Sequence, residues 1–286
     1  MKYLWLLLPA IGWGILPLIV VKTNSKVVNQ IFGTAVGTLI VSIFVMIILR
    51  PSLSVTTFIM AAVAGAMWIV GQLGQYTAYQ RIGVSQTMPI STGLQLVGTS
   101  LVGVFIFGEW ATTTARIAGF VGIALLIVGA VLTSINGQGE ANNVHGSKAT
   151  TLLMLLLTTI GYIIYNAIPR ALTTSGIAIF FPESVGMVIG VLIYIFATHR
   201  TTALREPASW RSLIIGFVFS IASLTYILSV RDNGVNTAFV VSQLSVVIST
   251  LGGFIFLHER KSKRGYIFTS IGLVLIVVGA IITSVF

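Results

Sequence analysis

The chain has 286 residues, of which 56% are hydrophobic and 8% charged, with a mean hydropathy of +1.02. Soluble globular proteins carry about 25% charged residues, so a water-soluble domain is excluded. Sixteen Lys and Arg stand against six Asp and Glu, a formal net charge of +10, yet the basic residues are scattered or flank apolar runs. That distribution is a membrane-topology signal rather than a nucleic-acid footprint, and no nucleic-acid partner is expected. The absence of Cys removes disulfides, thiolate nucleophiles and thiolate metal ligands.

A bilayer core takes about 20 apolar residues per helix. Runs of that kind occur at 3–21, 27–49, 56–79, 84–107, 115–135, 151–169, 176–197, 211–230, 235–257 and 265–285, which predicts an all-α polytopic membrane protein of ten spans. Charge, Pro, Gly or Asn marks nearly every gap, as at Arg50-Pro51, Arg81-Ile82-Gly83 and Arg231-Asp232-Asn233-Gly234, and only the linkers 136–150 and 198–210 are long. Lys2 ahead of the first run resembles the start of a signal peptide, but Ile19-Val20-Val21 offers no small-residue cleavage site and nine further spans follow. Runs such as Ile123 to Val131 are apolar almost all round, unlike the alternating strands of a barrel.

Shifted by 150 residues, the chain matches itself: Leu101 falls on Leu251, Gly103 on Gly253, Glu109 on Glu259, Gly122 on Gly272, and Thr133-Ser134 on Thr283-Ser284. Tyr76, Arg81 and Thr87 fall likewise on Tyr226, Arg231 and Thr237, and a shift of 149 pairs Gly12-Trp13 with Gly161-Tyr162. Apolar composition explains shared Gly and Leu, not shared Glu, Arg, Tyr and Thr at one offset. The expected organisation is a five-span repeat over 1–135, a linker at 136–150 and a second repeat over 151–286. An odd number of spans makes the second repeat enter the membrane from the opposite side. Such an inverted 5+5 pair can expose one central site to either face in turn; the plainer alternative is a duplicated scaffold with no pathway.

Polar side chains in lipid must be satisfied, so those within spans point inward or to a watery cavity. Here they are mostly neutral: Asn29, Gln30, Gln72, Gln75, Gln86, Ser91, Thr92 and Gln95 in spans two to four, and Asn166, Ser242 and Gln243 later. Trp13, Trp68, Tyr76, Tyr79, Tyr162 and Tyr165 accompany them. Carboxamides pair with hydroxyl groups and flat rings cover the apolar face of a pyranose, so a small neutral sugar or polyol fits. Trp68, Gln72, Gln75 and Tyr79 recur at spacings of three and four and share one helix face. The candidate substrate residues are Trp13, Asn29, Gln30, Trp68, Gln72, Gln75, Thr92, Gln95, Asn166 and Gln243; taken singly, each also fits an interhelical bond or an interfacial belt. Pro17, Pro89, Pro169 and Pro182 lie inside spans, where prolines often mark discontinuous helices. Gly33 with Gly37 and Gly186 with Gly190 read as close helix packing.

Glu183 is the sole acidic residue well inside an apolar run, about 10 Å from the start of span seven. In a partly dry site it could trade a proton with bulk water and couple transport to a proton gradient; near the interface it could instead pair with Arg170 or stay hydrated. Glu109 and Glu259 sit at span ends, where Arg116 and Arg260 are the expected partners. His145, His199 and His258 lie in loops without carboxylates at ligand spacing, and no phosphate-cradling loop occurs. No enzyme activity, cofactor or metal is expected, and energy must come from a gradient or another subunit.

The run Gly83-Val84-Ser85-Gln86-Thr87-Met88-Pro89-Ile90-Ser91-Thr92-Gly93-Leu94-Gln95-Leu96-Val97-Gly98-Thr99-Ser100, closing at Phe107-Gly108-Glu109-Trp110, strongly resembles bacterial glucose uptake proteins of the glucose/ribose porter family in the drug/metabolite transporter superfamily. Gly12-Trp13-Gly14, Asn29-Gln30, Gly71-Gln72, Ser242-Gln243-Leu244 and Glu259-Arg260-Lys261 extend the resemblance over essentially the whole chain. It implies a ten-helix inverted-repeat fold in the bacterial plasma membrane and proton-linked uptake of glucose or a similar sugar. It carries over no substrate residue. Export of drugs or metabolites, which the superfamily also supports, and a membrane scaffold or sensor are the competing functions; a polyspecific cation exporter would place a carboxylate at its core, whereas this interior is rich in amides.

If the N-terminus lies on side A, five Lys and Arg fall there (Lys2, Arg50, Arg116, Arg170, Arg231), and the other eleven, from Lys22 to Arg264, fall on side B. The positive-inside rule makes side B cytoplasmic and both termini external.

Overall fold

The computed structural model describes residues 2–135, 147–172 and 175–285; most of the expected linker at 136–150 lies outside them. Among the described residues the regular structure is helical: α1 (Lys2–Lys22), α2 (Val27–Leu49), α3 (Val55–Ile82), α4 (Val84–Phe105), α5 (Thr113–Thr133), α6 (Lys148–Leu172), α7 (Gly176–Ala197), α8 (Pro207–Arg211), α9 (Leu213–Asn233), α10 (Val235–Ser242), α11 (Leu244–Phe256) and α12 (Lys263–Val285), with one short 3-10 turn at Thr201–Leu204. Ten segments are long and apolar enough to cross a membrane, with α8 and α9 forming the eighth. Starts follow side-chain chemistry: Ser54, Thr112 and Ser175 hydroxyls accept the N–H of Thr57, Ala115 and Ala178, supplying partners to otherwise orphaned amides. Gly83 (φ 79°) and Gly234 (φ 81°) turn the chain sharply ahead of α4 and α10.

The prolines do not break their helices. Pro17, Pro89, Pro169 and Pro182 lie inside continuous α1, α4, α6 and α7, because each removes one backbone bond and its neighbours hold the rest of the ladder. Among the described residues the interrupted spans are the eighth, at Ser212 between α8 and α9, and the ninth, at Gln243 between α10 and α11.

In the packing, α5 lies against α12; α3 against α6 and α7; α1 against α9 and α11; α2 against α7 and α9; and α4 against α5, α6 and α11. Small residues set the close approaches. A Cβ on Gly37 would come within 3.1 Å of the Gly216 Cα, and one on Gly190 within 2.9 Å of the Ala66 carbonyl oxygen. Ile31, Tyr76, Met187, Val191, Ile215 and Ile276 fill the interior, whereas Ile117, Phe120, Ile127, Val131, Ile267 and Val274 on α5 and α12 face outward, as a lipid-facing surface requires.

Among the described residues, these contacts between helix ends and loops join ends of like parity. At end B, Lys26 Nζ lies 2.9 Å from Glu206, Gln80 Nε2 donates to the Ser25 carbonyl at 3.1 Å, and Lys261 Nζ donates to the Thr133 carbonyl at 2.7 Å. At end A, Glu109 pairs with Arg170. This corrects two expected pairings: Arg116 donates instead to the Trp110 carbonyl at 3.1 Å, and Glu259 binds backbone amides of α4. Each glutamate takes its partner from a distant helix.

Candidate functional site

On α3, Trp68, Gln72, Gln75 and Tyr79 are all buried, as their shared face requires. Tyr162 of α6 crosses to meet them, its hydroxyl 2.5 Å from Gln72 Oε1 and 2.7 Å from Gln75 Oε1. A phenol carries one proton. One carboxamide takes it, and the other either turns its NH2 toward the phenol oxygen or accepts from another hydroxyl. Gln75 Nε2 donates onward to Ser91 Oγ at 3.0 Å, and Gln95 Nε2 donates to the same oxygen at 3.1 Å. The Tyr79 hydroxyl donates to Met88 Sδ at 2.9 Å. A chain of neutral donors and acceptors thus joins α3, α4 and α6.

Beside it stands an aromatic box. The Trp68 ring centroid lies 4.9 Å from that of Phe219 and 6.5 Å from those of Tyr162 and Tyr165. Tyr165 reaches on to Glu183, donating to Oε2 at 3.3 Å. Glu183 is 6% exposed and α7 runs directly against α3 there, with no room for a Cβ on Gly65 beside the Glu183 carbonyl. The expected Arg170 partner is thereby corrected: that arginine is occupied by Glu109, and Glu183 accepts from Tyr165 instead. The carboxylate, three tyrosines, a tryptophan and three glutamines form one connected group.

The remaining candidates lie elsewhere. Asn29 Nδ2 donates to Glu206 Oε2 and Ser209 Oγ, both at 2.8 Å, and ties α2 to α8 at end B. Gln30 Nε2 donates to the Val20 carbonyl at 2.9 Å and caps the end of α1. Trp13 is half-buried against Tyr226, ring centroids 5.2 Å apart. Thr92 is half-buried on α4 and Asn166 exposed on α6. Gln243 is buried at the break in the ninth span, its Nε2 donating to the Phe239 carbonyl at 3.3 Å. Met88 and Phe219 belong to the group although nothing in their sequence surroundings singles them out from ordinary core residues. Among the described residues no three His, Asp or Glu side chains gather into a metal-binding cluster.

A family model described as sugar transport protein matches residues 4–286. The chain belongs to this family. Similar full-length sugar transport relatives include a "putative sugar uptake protein" of Lactobacillus johnsonii, 50% identical with all of both chains covered. A "putative ribose uptake protein RbsU" of Latilactobacillus sakei subsp. sakei is 39% identical, with 97% of this chain and 96% of the relative covered. "Glucose uptake protein GlcU" of Bacillus subtilis is 38% identical, with coverage of 100% and 98%. Ten spans and membership of a sugar transport family make this a multi-pass membrane protein.

Proposed function

We propose that this chain is a secondary transporter taking up a neutral sugar, glucose in the first instance, together with a proton, and that the substrate sits where Trp68, Gln72, Gln75 and Tyr162 converge, with Gln95 lining its α4 side. The observation that carries the reading is the doubled acceptor at Tyr162. A buried cluster with one proton for two closely held carboxamide oxygens favours a ligand that brings hydroxyl donors and no charge. The names of the glucose and ribose relatives agree with a small sugar.

Movement of that site between faces rests on an inverted repeat, 1–135 against 151–286 about the linker 136–150. Helix packing supports it. With spans one to five exchanged for six to ten, the α3–α6 contact becomes α9–α1, α3–α7 becomes α9–α2, and α4–α6 becomes α11–α1, while α2–α7 and α5–α12 map onto themselves. Left-handed residues agree as well, Arg50 matching His199 and Gly108 matching His258.

Glu183 is the proton carrier in this account, taking a proton from one side and releasing it to the other once the site has turned. Its bond to Tyr165, which touches Trp68, would make carboxyl occupancy felt at the sugar. The test is Glu183→Gln in proteoliposomes: accumulation driven by a pH gradient should vanish while counterflow of preloaded sugar persists, since exchange needs no net proton movement. Undiminished gradient-driven accumulation would remove Glu183 from coupling.

A further inference from the structure

The carboxylate of Glu259, in the turn between α11 and α12, spans the start of α4: Val84 donates its backbone N–H to Oε1 at 2.7 Å and Ser85 to Oε2 at 2.8 Å. These are first-turn amides with no partner inside the helix, and a negative charge there also faces the positive end of the helix dipole. Room is left for it from both sides. A Cβ on Gly83 would come within 2.9 Å of the Glu259 Cδ, and one on Gly253 within 3.0 Å of Oε2 and 3.1 Å of the Ser85 nitrogen. The clasp joins the fourth span to the ninth at end B, and α4 carries Met88, Ser91 and Gln95.

The same turn recurs at end A with a different outcome. Glu109 follows α4 as Glu259 follows α11; its N–H donates to the Gly103 carbonyl at 3.0 Å, as that of Glu259 donates to Gly253 at 3.1 Å. A left-handed residue precedes each glutamate, Gly108 (φ 69°) and His258 (φ 56°). By analogy Glu109 should clasp the start of α10, which opens with Gly234 as α4 opens with Gly83. It does not: its carboxylate is held by Arg170, Val235 at the head of α10 is 61% exposed, and a Cβ on Gly234 would meet nothing within 4 Å. One clasp is made and its counterpart is unmade.

We infer that Glu259 and Glu109 are reciprocal gate residues, each closing its own end of the pathway by binding the N-terminal amides of the opposing half's helix. This deepens the alternating-access reading and rests on it. The structure then has end B shut and end A released. Turning it over requires Glu259 to leave Val84 and Ser85, and Glu109 to exchange Arg170 for the start of α10. Both are positioning residues that act on the equilibrium between states without touching sugar.

The chain lacks Cys, so Thr87→Cys, at a buried position one turn into α4 behind the clasp, gives a single reporter. Its rate of modification by a maleimide is measured on purified protein in nanodiscs, with no sugar and no gradient. Glu259→Gln should speed labelling about tenfold, because charge-assisted bonds are about twice as strong as neutral ones, and Glu109→Gln should slow it; the double variant should return toward the parent rate. Simple loss of stability would speed labelling in both. Gly253→Ala, which presses on the clasp and leaves every charge in place, should act like Glu259→Gln and serves should that variant fold poorly. Shifts of the same sign for Glu259→Gln and Glu109→Gln, or no shift in either Glu259→Gln or Gly253→Ala, would overturn the inference. Since neither sugar nor proton gradient enters the measurement, a failed uptake assay would leave this result standing on its own.

Discussion

Gln75 and Asn29 are both buried amides in membrane helices, yet they answer to different neighbours. Gln75 faces a phenol, a serine and a second glutamine across three helices, whereas Asn29 meets Glu206 and Ser209 at the membrane edge. A buried polar group that loses its partner costs about 1–3 kcal/mol, and about 1.4 kcal/mol is a decade in affinity. Gln75→Leu should therefore weaken sugar binding by roughly 5- to 150-fold, measured by titration of purified, monodisperse protein. Asn29→Leu should lower the thermal midpoint and leave the dissociation constant of the folded protein unchanged. Sequence spacing made the Trp68, Gln72, Gln75 and Tyr79 face legible because a helix repeats at three and four. It could not sort Asn29 and Gln30 from them, since Glu206 lies 177 residues away from Asn29 and no local pattern announces that bond.

At the scale of elements, hydropathy fixes the spans well: 27–49 and 176–197 coincide with α2 and α7. The prolines do not mark the breaks, because the backbone bond a proline forfeits is tolerated inside a packed span, while the interruptions at Ser212 and Gln243 carry no proline. The junction of α2 with α8 illustrates a link that composition leaves hidden. Lys26, Asn29 and Thr202 all direct hydrogen bonds to the Glu206 carboxylate, and the Lys26 bond foremost, then that of Asn29, hold its pKa below the ordinary range. A lowered carboxylate pKa gives stability that is fully present above the unfolded value, about 4.3, and is lost as pH falls through the folded one. The thermal midpoint of the parent should thus fall more steeply below about pH 4 than that of Glu206→Gln, and the gap should shrink in high salt because the pair is partly solvated. Parallel pH profiles for the two proteins would show that Glu206 contributes no ionic link.

For the whole molecule, the proposed repeat rests in sequence on paired Glu, Arg and Tyr at one offset, but the different partners of Glu109 and Glu259 are not legible there: identical residues in matching turns take different partners. We propose the orientation from the loops: with eleven of sixteen basic residues on side B, the positive-inside rule predicts that this face is cytoplasmic. Thr201→Cys, at an exposed position ahead of α8, should then resist an impermeant maleimide in intact cells and react after permeabilisation; labelling in intact cells would invert the topology. The account as a whole stands on transport itself. Purified protein reconstituted in proteoliposomes, with an inwardly directed proton gradient, should accumulate radiolabelled glucose above its external concentration, and a protonophore should abolish that accumulation. Equilibration of glucose without accumulation, or no saturable uptake of any neutral sugar by monodisperse, correctly inserted protein, would contradict it.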